Sequence, residues 1–216
     1  MNDSWFETPE IVRLAGCLGR LLPHLRIEGV AITGGVAMEI GLARSGRPGS
    51  RRTIADLDLL AADLDVVSPG VASQFLISHY HVPLPDAPKF MVQLVDPIAR
   101  LRIDIFPDLA GSIADAQTVT IGEHAMKVLT LASIFDHKVQ TISKASAIRP
   151  VDPKHDRDAR LLGAIASSDV PPVAPGALIA DEYGTDADVS CRRCEQSRSE
   201  SFPLAPKQKI FEILGW

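Results

Sequence analysis

The chain has 216 residues, a formal net charge of −5, 46% hydrophobic and 23% charged residues. This length suffices for one sizeable domain, or for one domain with a helical appendage. The acidic balance argues against nucleic-acid binding through overall charge, although a local basic patch could still contact RNA. No apolar run reaches the roughly 20 residues of a membrane helix. The first ten residues lack a signal-peptide pattern and the three cysteines suit a reducing compartment, so we expect a cytoplasmic protein.

The first elements predicted along the chain are a helix, a strand, a glycine turn and a second helix. Apolar residues recur at helical spacing over residues 9–25, which predicts an amphipathic helix. Residues 28–33 are typical of a strand. Gly34 and Gly35 then permit a tight turn and a close backbone approach to a phosphate. Residues 36–42 predict a helix whose N-terminus would face that phosphate.

A polar, basic loop over residues 43–52 is followed by a predicted strand over residues 54–61 that carries two carboxylates. Residues i and i+2 of a strand share a face, so Asp56 and Asp58 aim at one spot while Leu57 points into the core. Adjacent carboxylates repel each other unless a cation lies between them, and Mg²⁺ prefers such oxygen ligands. A lone Asp-x-Asp is often only a turn or a solvated strand edge. The flanking leucines instead indicate a buried strand, where unpaired carboxylates are costly.

The middle of the chain predicts a helix, four strands and two further helices. Ser68 and Pro69 favour a helix that starts there and extends to about residue 80. The four strand candidates cover residues 90–95, 100–106, 118–121 and 125–129. The two helices are expected over residues 131–143 and 152–167, capped by Thr130 and Asp152.

A third carboxylate, Asp104, lies between two isoleucines on the second of these strands, so we expect it on the face opposite to theirs. If this strand pairs beside the one that carries Asp56 and Asp58, three carboxylates converge, as two-metal phosphoryl or nucleotidyl transfer requires. The simpler alternative is a surface residue of an edge strand. Asp96 and Asp108 are rival carboxylates, but each lies beside a proline in a predicted turn, which suits a capping role.

These residues carry a resemblance to a known superfamily. The order of Gly-Gly, helix, Arg-rich loop, Asp-x-Asp and later strand aspartate resembles the nucleotidyltransferases related to DNA polymerase beta. Within them, the chain most resembles the small bacterial nucleotidyltransferase-like proteins grouped with abortive-infection toxins. Residues 128–138 are similar to that family's lysine-bearing helix, and residues 154–158 to its Lys-x-x-Asp helix start. The resemblance covers roughly residues 29–162.

The resemblance implies an α/β (α+β) nucleotidyltransferase fold, with a small mixed sheet flanked by helices and a helical C-terminal part. It also implies transfer of a nucleoside monophosphate from an NTP donor to a hydroxyl acceptor, assisted by two Mg²⁺ ions. The implied catalytic and metal-binding residues are Asp56, Asp58 and Asp104. Asp104 would also help to deprotonate the acceptor. The residues implied to bind the nucleotide are Gly34, Gly35, Arg52 and Lys138.

The resemblance leaves the acceptor and the partners open. Relatives modify RNA ends, proteins or small antibiotics, and the acidic net charge favours a small molecule or a protein over bulk RNA. A toxin-like role would predict an antitoxin partner, and no membrane is expected. The main alternative is a non-catalytic nucleotide-binding or regulatory protein on the same fold. A small-molecule phosphotransferase ranks last, because the chain lacks a P-loop lysine motif and a kinase-type catalytic loop.

The chain is predicted to divide into a catalytic core over residues 1–129, a helical part that closes the site over residues 130–168, and a Pro-rich polar tail over residues 169–216 with a candidate docking helix at its end. Several signals have plain structural alternatives. Lys138 could be a surface lysine whose stem covers apolar groups. The Cys191–Cys194 pair is half of a zinc site, and no second pair follows it. The arginine cluster could be a solvated loop; its members are Arg44, Arg47, Arg51 and Arg52.

Overall fold

A computed structural model describes residues 8–47, 53–82, 89–146, 151, 153–166 and 204–215 of the protein. It confirms an α/β architecture in which helices pack against one mixed seven-stranded sheet. The helices are α1 Thr8–Leu21, α2 Gly34–Arg44, α3 Leu131–Ser146, α4 Pro153–Ala166 and α5 Lys207–Leu214. The strands are β1 Val30–Thr33, β2 Asp56–Ala61, β3 Leu76–His81, β4 Met91–Asp96, β5 Leu101–Pro107, β6 Gln117–Ile121 and β7 His124–Val128. Within these ranges, none of the helices combines the length and the apolar character needed to cross a bilayer.

The sheet places β2 at its centre, because the strand order is β3-β4-β5-β2-β1-β7-β6. Strand β2 is antiparallel to β1 and parallel to β5, and the register sets Asp58 beside Thr33 on one side and beside Asp104 on the other. Leu57 and Leu59 alternate with the aspartates and are fully buried on the opposite face. The core therefore fixes which way the two carboxylates point.

Most of the elements predicted from the sequence are present. The two strands predicted around the Asp96-Pro97 turn form β4 and β5, which are antiparallel to each other. Thr130 caps α3 as expected, since the Ser133 backbone N–H donates to Thr130 Oγ1 at 3.2 Å. Asp152, the expected cap of α4, lies outside the described residues.

The helix predicted from Ser68 to about residue 80 is wrong. The Gly70 N–H does donate to Ser68 Oγ at 3.2 Å, but the turn that it caps is a short 3₁₀ helix, Pro69–Ser73. The chain then enters β3, which pairs antiparallel with β4. Ile77 and Tyr80 are buried there. Tertiary pairing and burial of β-branched and aromatic side chains thus outweigh a correct local cap signal.

The C-terminal segment covers the edge of the sheet formed by β3. Leu204 forms a parallel bridge with Ile77, and the Ala205 N–H donates to the Ile77 carbonyl at 2.6 Å. Helix α5 follows and buries Ile210. These contacts give part of an otherwise open strand edge a partner. The predicted three-part division of the chain remains a prediction, and the Cys191–Cys194 pair lies outside the described residues.

Asp96 and Asp108 both have the capping role predicted for them. Asp96 Oδ1 accepts the backbone N–H groups of Ile98 at 2.8 Å and Ala99 at 2.9 Å. Its Oδ2 accepts from Arg20 Nη2 at 2.5 Å, and the Asp96 side chain is completely buried. Asp108 caps the turn after β5 in the same way, by accepting from the backbone of the Ser112–Asp115 turn.

We expect Asp96→Ala to lower the free energy of unfolding by about 3 kcal/mol or more, because it leaves a guanidinium and two amides without their buried acceptor. Asp63→Ala is the matched control: Asp63 also pairs with an arginine, Arg26 at 2.9 Å, but both side chains are about half exposed. Its cost should stay below about 1 kcal/mol. Urea unfolding of the two variants measures the difference, and equal costs would contradict the role given to Asp96.

Candidate active site

Three carboxylates converge on one face of the two central strands. Asp56 and Asp58 come from β2 and Asp104 comes from β5, where Asp58 and Asp104 are direct neighbours in the parallel register. One carboxylate oxygen from each of the three lies within 4.8 Å of the other two. A single cation between them could therefore contact all three. This is the convergence that the strand periodicity predicts.

The Gly-Gly turn brings the start of α2 against this cluster. Gly34 follows β1 directly and has φ = +64°, a conformation that glycine adopts without strain. A Cβ atom at Gly34 would lie 2.8 Å from Asp58 Cγ, and closer still to a carboxylate oxygen of Asp58. No other residue type leaves Asp58 where it is. The glycine is thus required by the position of the carboxylate.

Burial and mutual repulsion shift the acidity of the cluster. Burial, followed by the charges of Asp56 and Asp104, raises the pKa of Asp58 from 3.8 to about 7, against the opposing effect of Lys138 and Arg102. Burial also raises the pKa of Asp104, although Arg102 and Gln93 beside it act in the opposite direction. Without a metal, Asp58 and Asp104 therefore hold protons more tightly than exposed aspartates do, and a bound cation would displace those protons.

The residues present fit a divalent metal ion. Asp104 Oδ1 is buried and has no hydrogen-bond partner among the described residues. A buried carboxylate oxygen without a partner is costly, and coordination to a hard cation such as Mg²⁺ would satisfy it. The donor set consists of carboxylates alone, which suits Mg²⁺ better than a thiophilic metal.

Lys138, which the resemblance implies binds the nucleotide, extends from α3 toward the aspartates. Its Nζ lies 3.1 Å from Asp158 Oδ2 and 3.4 Å from His155 Nδ1, both on α4. The Lys138 side chain is only 13% exposed. It is therefore not a surface lysine that merely covers apolar groups.

Arg102 is a site residue that the sequence reasoning missed. It lies two positions before Asp104 on β5 and directly opposite Asp56. Arg102 Nη2 is 2.6 Å from Asp56 Oδ2, and Arg102 Nε is 3.1 Å from Asp104 Oδ2. The signal was available, because the alternation that sets the direction of Asp104 applies equally to the residue two positions earlier.

Two cavities open beside the carboxylates. The larger, of about 390 Å³, extends from the aspartates toward an apolar wall that includes Phe106 and Ile134. The smaller, of about 160 Å³, lies toward Gly35 and the buried Glu39 of α2. Five residues line both cavities: Asp56, Asp58, Lys138, Lys154 and His155. The aspartates and Lys138 thus stand between two spaces, each open to a ligand.

The arginine cluster is only partly described. Arg52, the predicted phosphate-binding arginine, and Arg51 lie outside the described residues. Arg44 and Arg47 are exposed and line neither cavity. For these two residues the structure agrees with the alternative of a solvated loop.

No protein-family model and no curated protein matches the chain. Solved structures do. An antigenic nucleotidyltransferase-like protein from Paracoccidioides brasiliensis is 18% identical, with 99% of this chain and 93% of that one covered and a TM-score of 0.41. ANT(2")-Ia, in complex with adenylyl-2"-tobramycin, is 18% identical, with 74% of this chain and 91% of that one covered and a TM-score of 0.45. The Megavirus polyadenylate synthase is 10% identical, with 77% of this chain and 34% of that one covered and a TM-score of 0.46.

With identities of 18% or less and TM-scores below 0.5, these likenesses carry no argument about the family, the substrate or the activity of this chain. The function therefore has to be inferred from the geometry of the site.

We expect Gly34→Ala to weaken binding of Mn²⁺, used as a probe for Mg²⁺, by about tenfold or more, because the added methyl group displaces Asp58. Gly46→Ala is the control: Gly46 also has a positive φ, of +73°, but a Cβ atom there meets nothing within 4 Å. It should bind Mn²⁺ as the wild type does. Calorimetric titration measures both, and equal Mn²⁺ affinity in the two variants would remove Gly34 from the site.

The raised pKa of Asp58 predicts a pH-dependent stability. A carboxyl group whose pKa rises on folding stabilises the protein fully below its unfolded pKa of 3.8, and this contribution is lost progressively as the pH rises to about 7. In the presence of a metal chelator, the melting temperature of the wild type relative to Asp58→Asn should therefore fall as the pH rises from 3.8 to about 7 and should then level off. Mg²⁺ should reverse the loss. A difference between the two proteins that does not change with pH would contradict the assignment.

Proposed function

We propose that the protein is a nucleotidyltransferase that transfers a nucleoside monophosphate from an NTP to a hydroxyl acceptor and releases pyrophosphate. The observation that carries this proposal is the convergence of Asp56, Asp58 and Asp104 beside the glycine turn that begins α2. Phosphoryl-group chemistry needs a cluster of this kind to hold divalent cations next to a place where phosphates can bind.

The three aspartates would hold Mg²⁺, with two ions present once the nucleotide contributes its own oxygens. Bound there, the ions would neutralise the developing charge of the phosphates and favour ionisation of the acceptor hydroxyl. The fit of the chain to such ions rests on the buried Asp104 oxygen that has no hydrogen-bond partner among the described residues. Asp104 would also take up the acceptor proton, since burial raises the pKa of its carboxyl group above that of an exposed aspartate.

The donor triphosphate would bind at the start of α2. Thr33, the N-cap residue, makes no side-chain hydrogen bond to the first amides of this helix, so the amides of Gly34 and Gly35 are not capped by it. Free amides at a helix N-terminus attract phosphate. Lys138 would steady the same phosphates, since it is one of the residues that line both cavities.

The larger cavity is the proposed acceptor side. Its volume of about 390 Å³ lies within the range of small-molecule sites. Phe106 and Ile134 form an apolar wall, and Gln140 and Thr141 add neutral polar groups. These features favour a small molecule, or the hydroxyl-bearing end of a larger acceptor. A toxin-like role with an antitoxin partner rests on the sequence resemblance alone.

A non-catalytic nucleotide-binding protein on the same fold is the second candidate. It is favoured by Arg102, whose guanidinium forms ion pairs with Asp56 and Asp104, two of the three proposed metal ligands. If that pairing persisted with nucleotide bound, the site would bind an NTP without promoting transfer. The two candidates differ in whether pyrophosphate is released.

We expect at least one of the four NTPs to bind the wild type in a Mg²⁺-dependent manner and Asp56→Asn/Asp58→Asn to lose this binding, because the double variant removes two ligands and two charges. Asp63→Asn, at an exposed carboxylate paired with Arg26, should bind the NTP normally. Isothermal titration of each NTP with and without Mg²⁺ makes the comparison.

Pyrophosphate release in the presence of candidate hydroxyl acceptors then separates the two functions. If the wild type releases pyrophosphate and the double variant does not, the result supports the transferase. Mg²⁺-dependent binding without release from any acceptor favours the non-catalytic protein, and unchanged binding in the double variant contradicts both.

A further inference from the structure

The guanidinium of Arg102 forms ion pairs with two of the three carboxylates of the cluster. Two different nitrogens of one guanidinium reach two different carboxylates, Nη2 to Asp56 at 2.6 Å and Nε to Asp104 at 3.1 Å. The side chain is three-quarters buried. The contact with Asp56 is a charge-assisted hydrogen bond, which is stronger than a neutral one. The contact with Asp104 is an ion pair in which the Nε–H is not aligned for a hydrogen bond. Arg102 therefore already supplies part of the positive charge that the cluster requires.

The guanidinium of Arg102 and a divalent metal ion would compete for the same carboxylates. Asp56, Asp58 and Asp104 carry three negative charges when all are ionised, and Arg102 is the cation in contact with two of them. Lys138 lies nearby, but its ammonium group is paired with Asp158. A divalent ion bound to the same carboxylates would meet the guanidinium at close range, where like charges repel strongly.

We propose that Arg102 is an internal counter-ion that occupies part of the metal site, and that metal binding displaces its guanidinium from Asp56, Asp104 or both. This inference rests on the metal site of the proposed function. It makes Arg102 a positioning residue that holds the carboxylates together when no metal is bound. It also lowers the affinity of the site for the metal, which must compete with the guanidinium for the same oxygens.

The opposite role makes the opposite prediction. If Arg102 only orients the carboxylates toward the metal, its removal disorders the ligands and weakens metal binding, as loss of a supporting group usually does. If Arg102 competes with the metal, its removal strengthens metal binding. The sign of one affinity change therefore decides between the two roles.

The test is calorimetric titration of Mn²⁺ into the full-length protein without nucleotide. For Arg102→Gln we expect binding about tenfold tighter or more than in the wild type, because a full positive charge is lost next to the ion. Arg102→Lys should fall between them, since an ammonium keeps the charge but cannot bond two carboxylates through separate nitrogens of a rigid fork. Arg26→Gln, which breaks an exposed pair with Asp63, should match the wild type. Equal or weaker Mn²⁺ binding in Arg102→Gln overturns the proposal.

Two further measurements do not depend on affinity alone. In the presence of a metal chelator, Arg102→Gln should have a lower melting temperature than the wild type. Added Mn²⁺ should raise the melting temperature of the variant by more than it raises that of the wild type. In the wild type itself, the Arg102 Nε–H resonance should shift on addition of Mg²⁺, and an unchanged resonance in the metal-saturated protein overturns displacement from Asp104.

If neither the wild type nor Arg102→Gln binds Mn²⁺, the metal site and this inference fail together. If both bind it equally, only the role of Arg102 fails.

Discussion

Repulsion between Asp56, Asp58 and Asp104 is the constraint around which the centre of this protein is arranged. Their carboxylate oxygens lie within 4.8 Å of one another, on the two adjacent strands that also form the middle of the core. Leu57 and Leu59 are fully buried behind them, so β2 cannot rotate to move the aspartates into water without exposing the leucines. The charges must be offset where they are, by protons, by Arg102 and Lys138, or by a metal ion.

The start of the carboxylate strand is fixed from outside the sheet. Glu10 of α1 accepts the Ile54 backbone N–H at 2.9 Å, and Arg13 donates both to Glu10, at 2.7 Å, and to the Ile54 carbonyl. Both backbone groups of the residue two positions before Asp56 are therefore satisfied by one helix. This clamp gives α1 a role in the site although it contributes no residue to either cavity. Precise placement of ligands depends on support of this kind.

The sequence was sufficient for the carboxylates because a strand has a period of two. Asp56, Asp58 and Asp104 could be assigned to faces from their apolar neighbours, and only the pairing of the two strands remained to be seen. The helix predicted from Ser68 was wrong because a cap signal is local, whereas the pairing of β3 with β4 depends on a distant strand. Arg102 shares the face of Asp104 through the same alternation, but its pairing with Asp56 depends on the register between β5 and β2.

An ion pair beside the site links the two helices of the helical part. Lys138 on α3 and Asp158 on α4 are both largely buried and lie 3.1 Å apart. A buried pair of this kind contributes little net stability, but it fixes each charge where it is. Asp158 thus holds the ammonium of Lys138 beside both cavities, where its charge still lowers the pKa of Asp58. Arg102, from the same sheet, is paired directly with two of the carboxylates, so its guanidinium is the group that a metal ion would displace.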